Sequence, residues 1–392
     1  MNKNLAAKYL KAMGNEAASL VSNGTIYDNC LYIDTGNYLY NAQLSGSIYG
    51  GIPTNKIVAL AGDEGTGKTF ALLGIIKNFL KKNPDNFVAF FESEGAVNQK
   101  VLKMRGIDTS RVLLIPVESV EDFRNQSINF INSYEKEDGN CFMCLDSLGM
   151  LPSAKEVKDA EEGSSATDMT RAKIIKSIFR ILTIKLSMKN IPLILTNHTY
   201  SEIGPYAKKN MGGGSGLKYA ASIISFLSKA QYKEDEKLAG IKVTSTMEKS
   251  RETRMKTKVS VVIHNEFGLL PYSGLFDYCE ENELLTKAGQ QYFWTKDGET
   301  SKKYRKNIEE KPEEFFTKER LAQIDEHCKN YFLFSSNDVA LTDEDDNIPD
   351  EILDQQSVPE DAINHPADLE KPKRGRKAKK DDDSLSTPEE NV

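Results

Sequence analysis

The sequence predicts an α/β domain with a mostly parallel central sheet, and three observations carry that prediction. The first is Lys56 to Thr69, where a short apolar run, Ile57 to Ala61, turns into Gly62-Asp63-Glu64-Gly65-Thr66-Gly67-Lys68-Thr69. That octet fits G-x-x-x-x-G-K-[ST] at every fixed position, and an apolar-periodic helix, Phe70 to Leu80, follows at once. The second is a recurrence of strand-length apolar runs separated by helical patterns: Phe87 to Phe91, Cys141 to Leu145 and Ile191 to Thr196. The third is the closer succession of Ile223 to Leu227, Ile241 to Met247 and Val259 to Ile263, which reads as an antiparallel far edge.

At 392 residues the chain exceeds what one core usually supports. Residues 1–32 hold a short amphipathic helical arm (4–21) suited to oligomerisation, and turn signals at Asp34-Thr35-Gly36 and Gly50-Gly51 open the main domain, 33–274. A small C-terminal domain is expected over 275–340, with Trp294 and the helical-looking Lys302 to Glu326. Residues 341–392 contain 16 acidic and 7 basic side chains, so this aromatic-poor segment accounts for the whole-chain charge of −7 and leaves residues 1–340 at +2. Its composition predicts a disordered acidic tail, with one basic cluster from Lys371 to Lys380. No apolar run is long enough for a bilayer and Met1 to Leu20 lacks an apolar signal core, so no membrane and a cytoplasmic setting are expected. Five cysteines are an odd number, and Cys141 and Cys144 sit in one strand pattern pointing to opposite faces, which predicts buried thiols rather than a disulfide or metal pair.

The glycines of the loop let backbone N–H groups converge on phosphate oxygens at a helix N-terminus. Lys68 adds a cation for the outer phosphates, and the Thr69 hydroxyl is placed to ligand magnesium. At the next strand end, Glu92 and Glu94 project the same way; either is able to activate a water, and a solvated acidic turn is the alternative. Asp146 closes the third strand and reads as the carboxylate that orients the metal, with a helix cap as the other reading.

On the helix from Arg171 to Leu182, Ile174, Ile175, Ile178, Phe179 and Leu182 form an apolar stripe. Lys173, Lys176 and Arg180 gather opposite it, as a phosphate-backbone contact or a solvated face. The fourth strand ends at Thr196-Asn197-His198. From Thr199 to Gly216 the chain then mixes Tyr200, Tyr206, Lys208 and Lys209 with the glycines of 212–216, suiting contact with single-stranded nucleic acid. The other long connection, Leu151 to Asp168, is acidic on balance.

These residues resemble RecA-type recombinases, giving the expected fold its closest description: a RecA-like P-loop ATPase core. The resemblance spans about Ile33 to Trp294 and rests on the phosphate loop, Ala89 to Glu94, Leu145-Asp146-Ser147 and Gly213 to Ser222. Asp168 to Lys173, Lys176 to Arg180, Lys189 to Pro192, Asn197 to Tyr200, Met211 to Gly216 and Glu248 to Arg251 are similar to the T-even bacteriophage branch. The resemblance implies that Glu94, not Glu92, activates water and that His198, where bacterial members usually carry Gln, senses the terminal phosphate. It implies that Lys249 and Arg251 reach a neighbouring subunit's nucleotide. Gly62 to Phe70, Asp146 and Tyr272, the last near the adenine, would hold ATP with Mg2+. Lys176, Arg180, Gly213, Gly214 and Ser215 would hold DNA phosphates.

The expected activity is DNA-dependent ATP hydrolysis coupled to strand exchange. It would run in a helical filament on single-stranded DNA that pairs with double-stranded DNA, assisted by a single-strand-binding protein and a recombination mediator. A hexameric helicase on the same core and a non-catalytic ATP-gated DNA-binding or mediator module are the rival readings.

Overall fold

The computed structural model describes residues 6, 9–10, 12–15, 17–28, 30–135, 139–163, 170–201, 209–213, 215–234 and 236–334, with backbone alone at 201, 209 and 299–301. In chain order, β1 (Tyr32–Ile33) and β2 (Ile52–Pro53) pair antiparallel around α1 (Tyr38–Ser45). β3 (Ile57–Gly62) leads through the phosphate loop into α2 (Lys68–Lys82), β4 (Phe87–Glu92) into α3 (Gln99–Met104), and β5 (Val112–Pro116) into α4 (Val120–Ser133). β6 (Cys141–Asp146) is followed by a 3-10 turn (Leu148–Met150), α5 (Ala154–Glu161) and α6 (Thr170–Lys189). β7 (Leu193–Ser201), β8 (Lys209–Met211) and α7 (Ser215–Ala220) precede β9 (Ile223–Glu234), β10 (Lys237–Ser250), β11 (Lys258–His264) and β12 (Gly268–Leu269).

The central sheet runs β12-β11-β10-β9-β3-β7-β6-β4-β5, with β8 attached to β7. Pairing is parallel from β9 to β5 and antiparallel from β9 to β12. This matches the expected parallel core with an antiparallel edge. Two apolar layers cover the sheet, and alternation along each strand assigns its side chains between them. On β6, Phe142 and Cys144 join the layer under α1 and α2, while Cys141, Met143 and Leu145 join the one under α4 and α6. Both thiols are buried and free, and burial pushes both well above the ordinary range.

After β12 come α8 (Leu275–Glu281), a small sheet of β13 (Leu285–Ala288), β14 (Gln291–Trp294) and β15 (Lys303–Tyr304), then α9 (Arg305–Glu310), α10 (Pro312–Phe315) and α11 (Lys318–Phe332). Leu275, Trp294, Phe315 and Phe332 belong to the same apolar layer as α1 and α2. From α11, the Asp325 carboxylate accepts from the Ser47 hydroxyl at 2.6 Å and the Ile48 N–H at 2.9 Å, tying the C-terminal helix to the turn after α1.

Four elements differ from the sequence reading. Lys302 to Glu326 is not one helix: a short strand opens it and Pro312, which lacks an N–H, restarts the helix after α9. Leu151 to Asp168 is not wholly a connection, because Ser153 and Glu156 close a reciprocal capping box that starts α5. β5 is an additional edge strand. β7 runs past His198 to Ser201 and returns antiparallel as β8, so the glycine-rich segment begins as a hairpin. The acidic tail 341–392 with its Lys371–Lys380 cluster, along with Lys208, Gly214 and Asp168, lies outside the described residues. No described helix is long and apolar enough to cross a membrane.

Candidate functional site

Register alone brings the chemistry together. Gly62 at the exit of β3 stands beside His198 on β7, and Glu92 at the exit of β4 stands beside Asp146 on β6. Ligands on parallel sheets bind beyond these strand ends. Gly67 caps the N-terminus of α2 at φ 88°, a left-handed conformation that glycine adopts without strain, and a Cβ there would meet Ile241 Cδ1 at 2.6 Å. The Lys68 ammonium donates to the Gly62 and Asp63 carbonyls at 2.9 and 3.0 Å. Burial lowers its pKa, while Glu94, Asp146, Asp63 and Glu64 pull the other way. Lys229 of β9 reaches over the loop, since a Cβ on Gly65 would lie 2.5 Å from its Nζ. Phe70 is 41 % exposed, with the Arg105 guanidinium 3.9 Å above its ring.

The two glutamates part company. Glu92 is 7 % exposed and accepts from four backbone N–H groups: Gly95 at 2.7 Å, Ala96 at 2.9 Å, Glu94 at 3.3 Å and Val97 at 3.4 Å. It is an internal anchor for the turn. Glu94 instead faces the strand ends, where Ser147 Oγ donates to its Oε1 at 2.5 Å and His198 Nε2 lies 3.2 Å from the same oxygen. Ser93 and Ser147 zip the two strand ends together, Ser93 Oγ donating to Ser147 O and Ser147 N–H to Ser93 Oγ, both at 2.8 Å.

Asp146 is 2 % exposed and accepts from Thr69 Oγ1 at 2.7 Å and from the Thr196 hydroxyl. It caps no helix. Burial raises its pKa, and the two hydroxyl bonds oppose that rise. A buried carboxylate joined to the loop threonine is an all-oxygen donor set, the chemistry a hard divalent cation takes. Thr199 Oγ1 donates to Asp63 Oδ1 at 2.5 Å, tying β7 to the phosphate loop.

The DNA-facing candidates adjoin this edge. Lys173, Lys176 and Arg180 are exposed on α6. Gly216 of α7 packs so tightly on that helix that a Cβ would meet Lys176 Cα at 2.7 Å. Ser215 is exposed beside it, Gly213 is buried, and Tyr200 is exposed on β7. Asn197 Nδ2 donates to Gly212 O at 2.7 Å and Gly212 N–H to His198 O at 3.1 Å, so the glycine segment hangs directly on β7.

Three expected nucleotide contacts stand elsewhere in the chain. Lys249 pairs with Ile224, alongside Ala59 near the entry of β3, whereas the phosphate loop leaves from its exit. Lys249 Nζ donates to Lys218 O at 2.6 Å and Tyr219 O at 3.1 Å, and Arg251 Nη2 to Tyr219 O at 3.1 Å. Burial, with Arg251 and Lys218 nearby, pushes Lys249 down to about 8. Tyr272 stacks on Phe316 at 6.2 Å and meets Tyr38 edge-on at 5.2 Å. It lines a cavity of about 570 Å³ with Lys242, Phe276, Asp277 and Arg305, and no residue of 62–70. Sequence reasoning did not single out Thr196, Thr199, Ser147, Arg105 or Lys229. Their partners come from distant parts of the chain, strand ends, the phosphate loop and α2, that only the fold brings near.

Strand order, phosphate loop and converging strand-end carboxylates define a P-loop nucleotide-binding domain of the recombination and motor class. The chain belongs to the RecA family: the RecA N-terminal domain matches residues 6–268. It is similar to the recombination and repair protein of Enterobacteria phage T4, 33 % identical over 283 residues that cover 72 % of each chain. It is also similar to the RecA proteins of Treponema denticola (24 % over 291 residues, 73 % of this chain and 68 % of that one) and Malacoplasma penetrans (24 % over 276 residues, 70 % and 80 %). These relatives favour strand exchange over the helicase and binding-only readings.

Proposed function

We propose that this chain is an ATP-dependent strand-exchange protein that assembles on single-stranded DNA as a helical filament and pairs it with homologous duplex. Supporting this most directly is β7, on which one strand holds His198 against Glu94 and Asn197 against Gly212. A single rigid element therefore touches both the reacting end of a nucleotide and the DNA-facing segment.

In this reading the backbone of Gly62 to Thr69 and the Lys68 ammonium hold the triphosphate, and Glu94 takes the proton of a water aimed at the terminal phosphate. His198 reads whether that phosphate is present. Magnesium, held through Thr69 and Asp146, would neutralise phosphate charge. Lys173, Lys176 and Arg180, with Tyr200, Lys209, Gly213 and Ser215, meet the DNA backbone and bases. Lys249 and Arg251 serve the nucleotide of the next copy. Single-strand-binding and mediator proteins in the cytoplasm are the expected helpers.

The test is DNA strand pairing with wild type and Lys68→Ala. Wild type should pair homologous strands only with ATP, and Lys68→Ala should not pair them. Hydrolysis on single strands by a wild type that never pairs homologous DNA overturns the reading.

A further inference from the structure

We infer that Arg171 is a positioning residue that transmits the state of the His198 site to the cationic helix α6 through the 3-10 turn that follows β6. This rests on the ATP-gated DNA binding proposed above.

Arg171 stands in the first turn of α6, two residues before Lys173. Its guanidinium reaches back to the 3-10 turn after β6: Nε donates to Leu151 O at 2.6 Å, and Nη2 to Leu148 O at 3.1 Å and Gly149 O at 3.2 Å. Charge-assisted bonds from one planar fork to three carbonyls fix the turn and the helix start as a unit. Leu148 and Leu151 are buried in the same apolar layer as Ile175 and Ile178, so the turn has little freedom to shift alone.

The turn's other side is in contact with the sensor. A Cβ on Gly149 would lie 2.9 Å from Asn197 Oδ1 and 3.1 Å from His198 Cδ2. Gly149 has no positive φ, so what the position requires is space rather than backbone freedom. Any movement of His198 or Asn197 toward the turn therefore presses on Gly149. Arg171 passes that displacement to the helix bearing Lys173, Lys176 and Arg180. Gly212 and Gly213 lie against the same turn, a Cβ on Gly212 falling 4.0 Å from Gly149 Cα and one on Gly213 3.3 Å from Leu148 Cδ2, so it is the Arg171 fork that distinguishes this path from the Asn197–Gly212 contact by mutation.

The experiment measures affinity for a fluorescent oligo-dT with the full chain, with and without a non-hydrolysable ATP analogue, at one salt concentration. The ratio of the two affinities is the coupling, and the same factor must appear in analogue affinity with and without DNA. Arg171→Lys keeps the charge but loses the fork. It should lower the coupling by about fivefold or more, with nucleotide-free DNA affinity within about twofold of wild type. Gly149→Ala leaves every Arg171 donor in place and should also lower the coupling. Should either variant melt before wild type in a thermal scan, the other decides.

Wild-type coupling in the surviving variant overturns the inference, as does a parallel loss of both affinities, which would mark a DNA-phosphate contact or a purely structural role. A wild type with no coupling at all overturns the functional reading itself.

Discussion

Glu92 and Glu94 are the same side chain two positions apart, and only their donors separate them. Spacing located both at a strand end beside a phosphate loop and left the choice to the resemblance, because the physical distinction depends on where the next turn's N–H groups point. Four of those groups converge on Glu92 and none of the pairs found for Glu94 Oε1 is backbone. Glu92→Ala should therefore strand buried donors and lower stability by roughly 2–3 kcal/mol, read from urea unfolding. Glu94→Gln should leave the unfolding free energy within about 0.5 kcal/mol of wild type while abolishing ATP turnover, with nucleotide binding retained. Equal loss of stability in the two variants would cancel the distinction. Thr196 and Thr199 were illegible for a related reason: neither fits a motif, and each acquires its role from a partner distant in sequence, Asp146 on β6 and Asp63 in the phosphate loop.

At the scale of elements, the parallel strands were readable because each is a continuous apolar run bounded by turn residues, as buried strands are. β5 was missed because Val112 to Pro116 is short and lies at the edge, with Leu113 51 % exposed, so its apolarity does not follow from burial in this chain. Helix α5 had a readable signal in Ser153 and Glu156 that the acidity of the segment obscured. For α6 the apolar stripe was correct in kind, and the exposed cations opposite it are those the DNA reading needs. Lys176→Ala and Arg180→Ala should each reduce the dependence of log affinity on log salt by about one, with little change in base preference. Unchanged slopes, measured by anisotropy titrations on a single strand, would make α6 a solvated face.

The whole molecule presents the phosphate loop at one end of the sheet and Lys249 with Arg251 toward the other, so one copy cannot join them. The sequence offered these cations only through resemblance, since nothing in their spacing shows a partner. In the structure they donate to the last carbonyls of α7, next to Tyr219, which is 70 % exposed. If these cations serve the next copy as proposed, assembly should depend on pH in a definite direction. With its pKa pushed down to about 8 by burial and by Arg251 and Lys218, Lys249 is charged below that pH and neutral above it. In the proposed filament a neighbour's triphosphate would bind the charged form, so the pKa would be higher in the assembled state than in the free chain. Nucleotide-dependent assembly should then be nearly level from about pH 7 to about pH 8 and weaken above it, by up to about tenfold per pH unit, until the assembled-state pKa is passed. Lys249→Arg, which does not titrate in this range, should remove the decline. Light scattering with an ATP analogue from about pH 7 to about pH 9.5 measures both proteins, and a decline shared by wild type and Lys249→Arg would place the titrating group elsewhere.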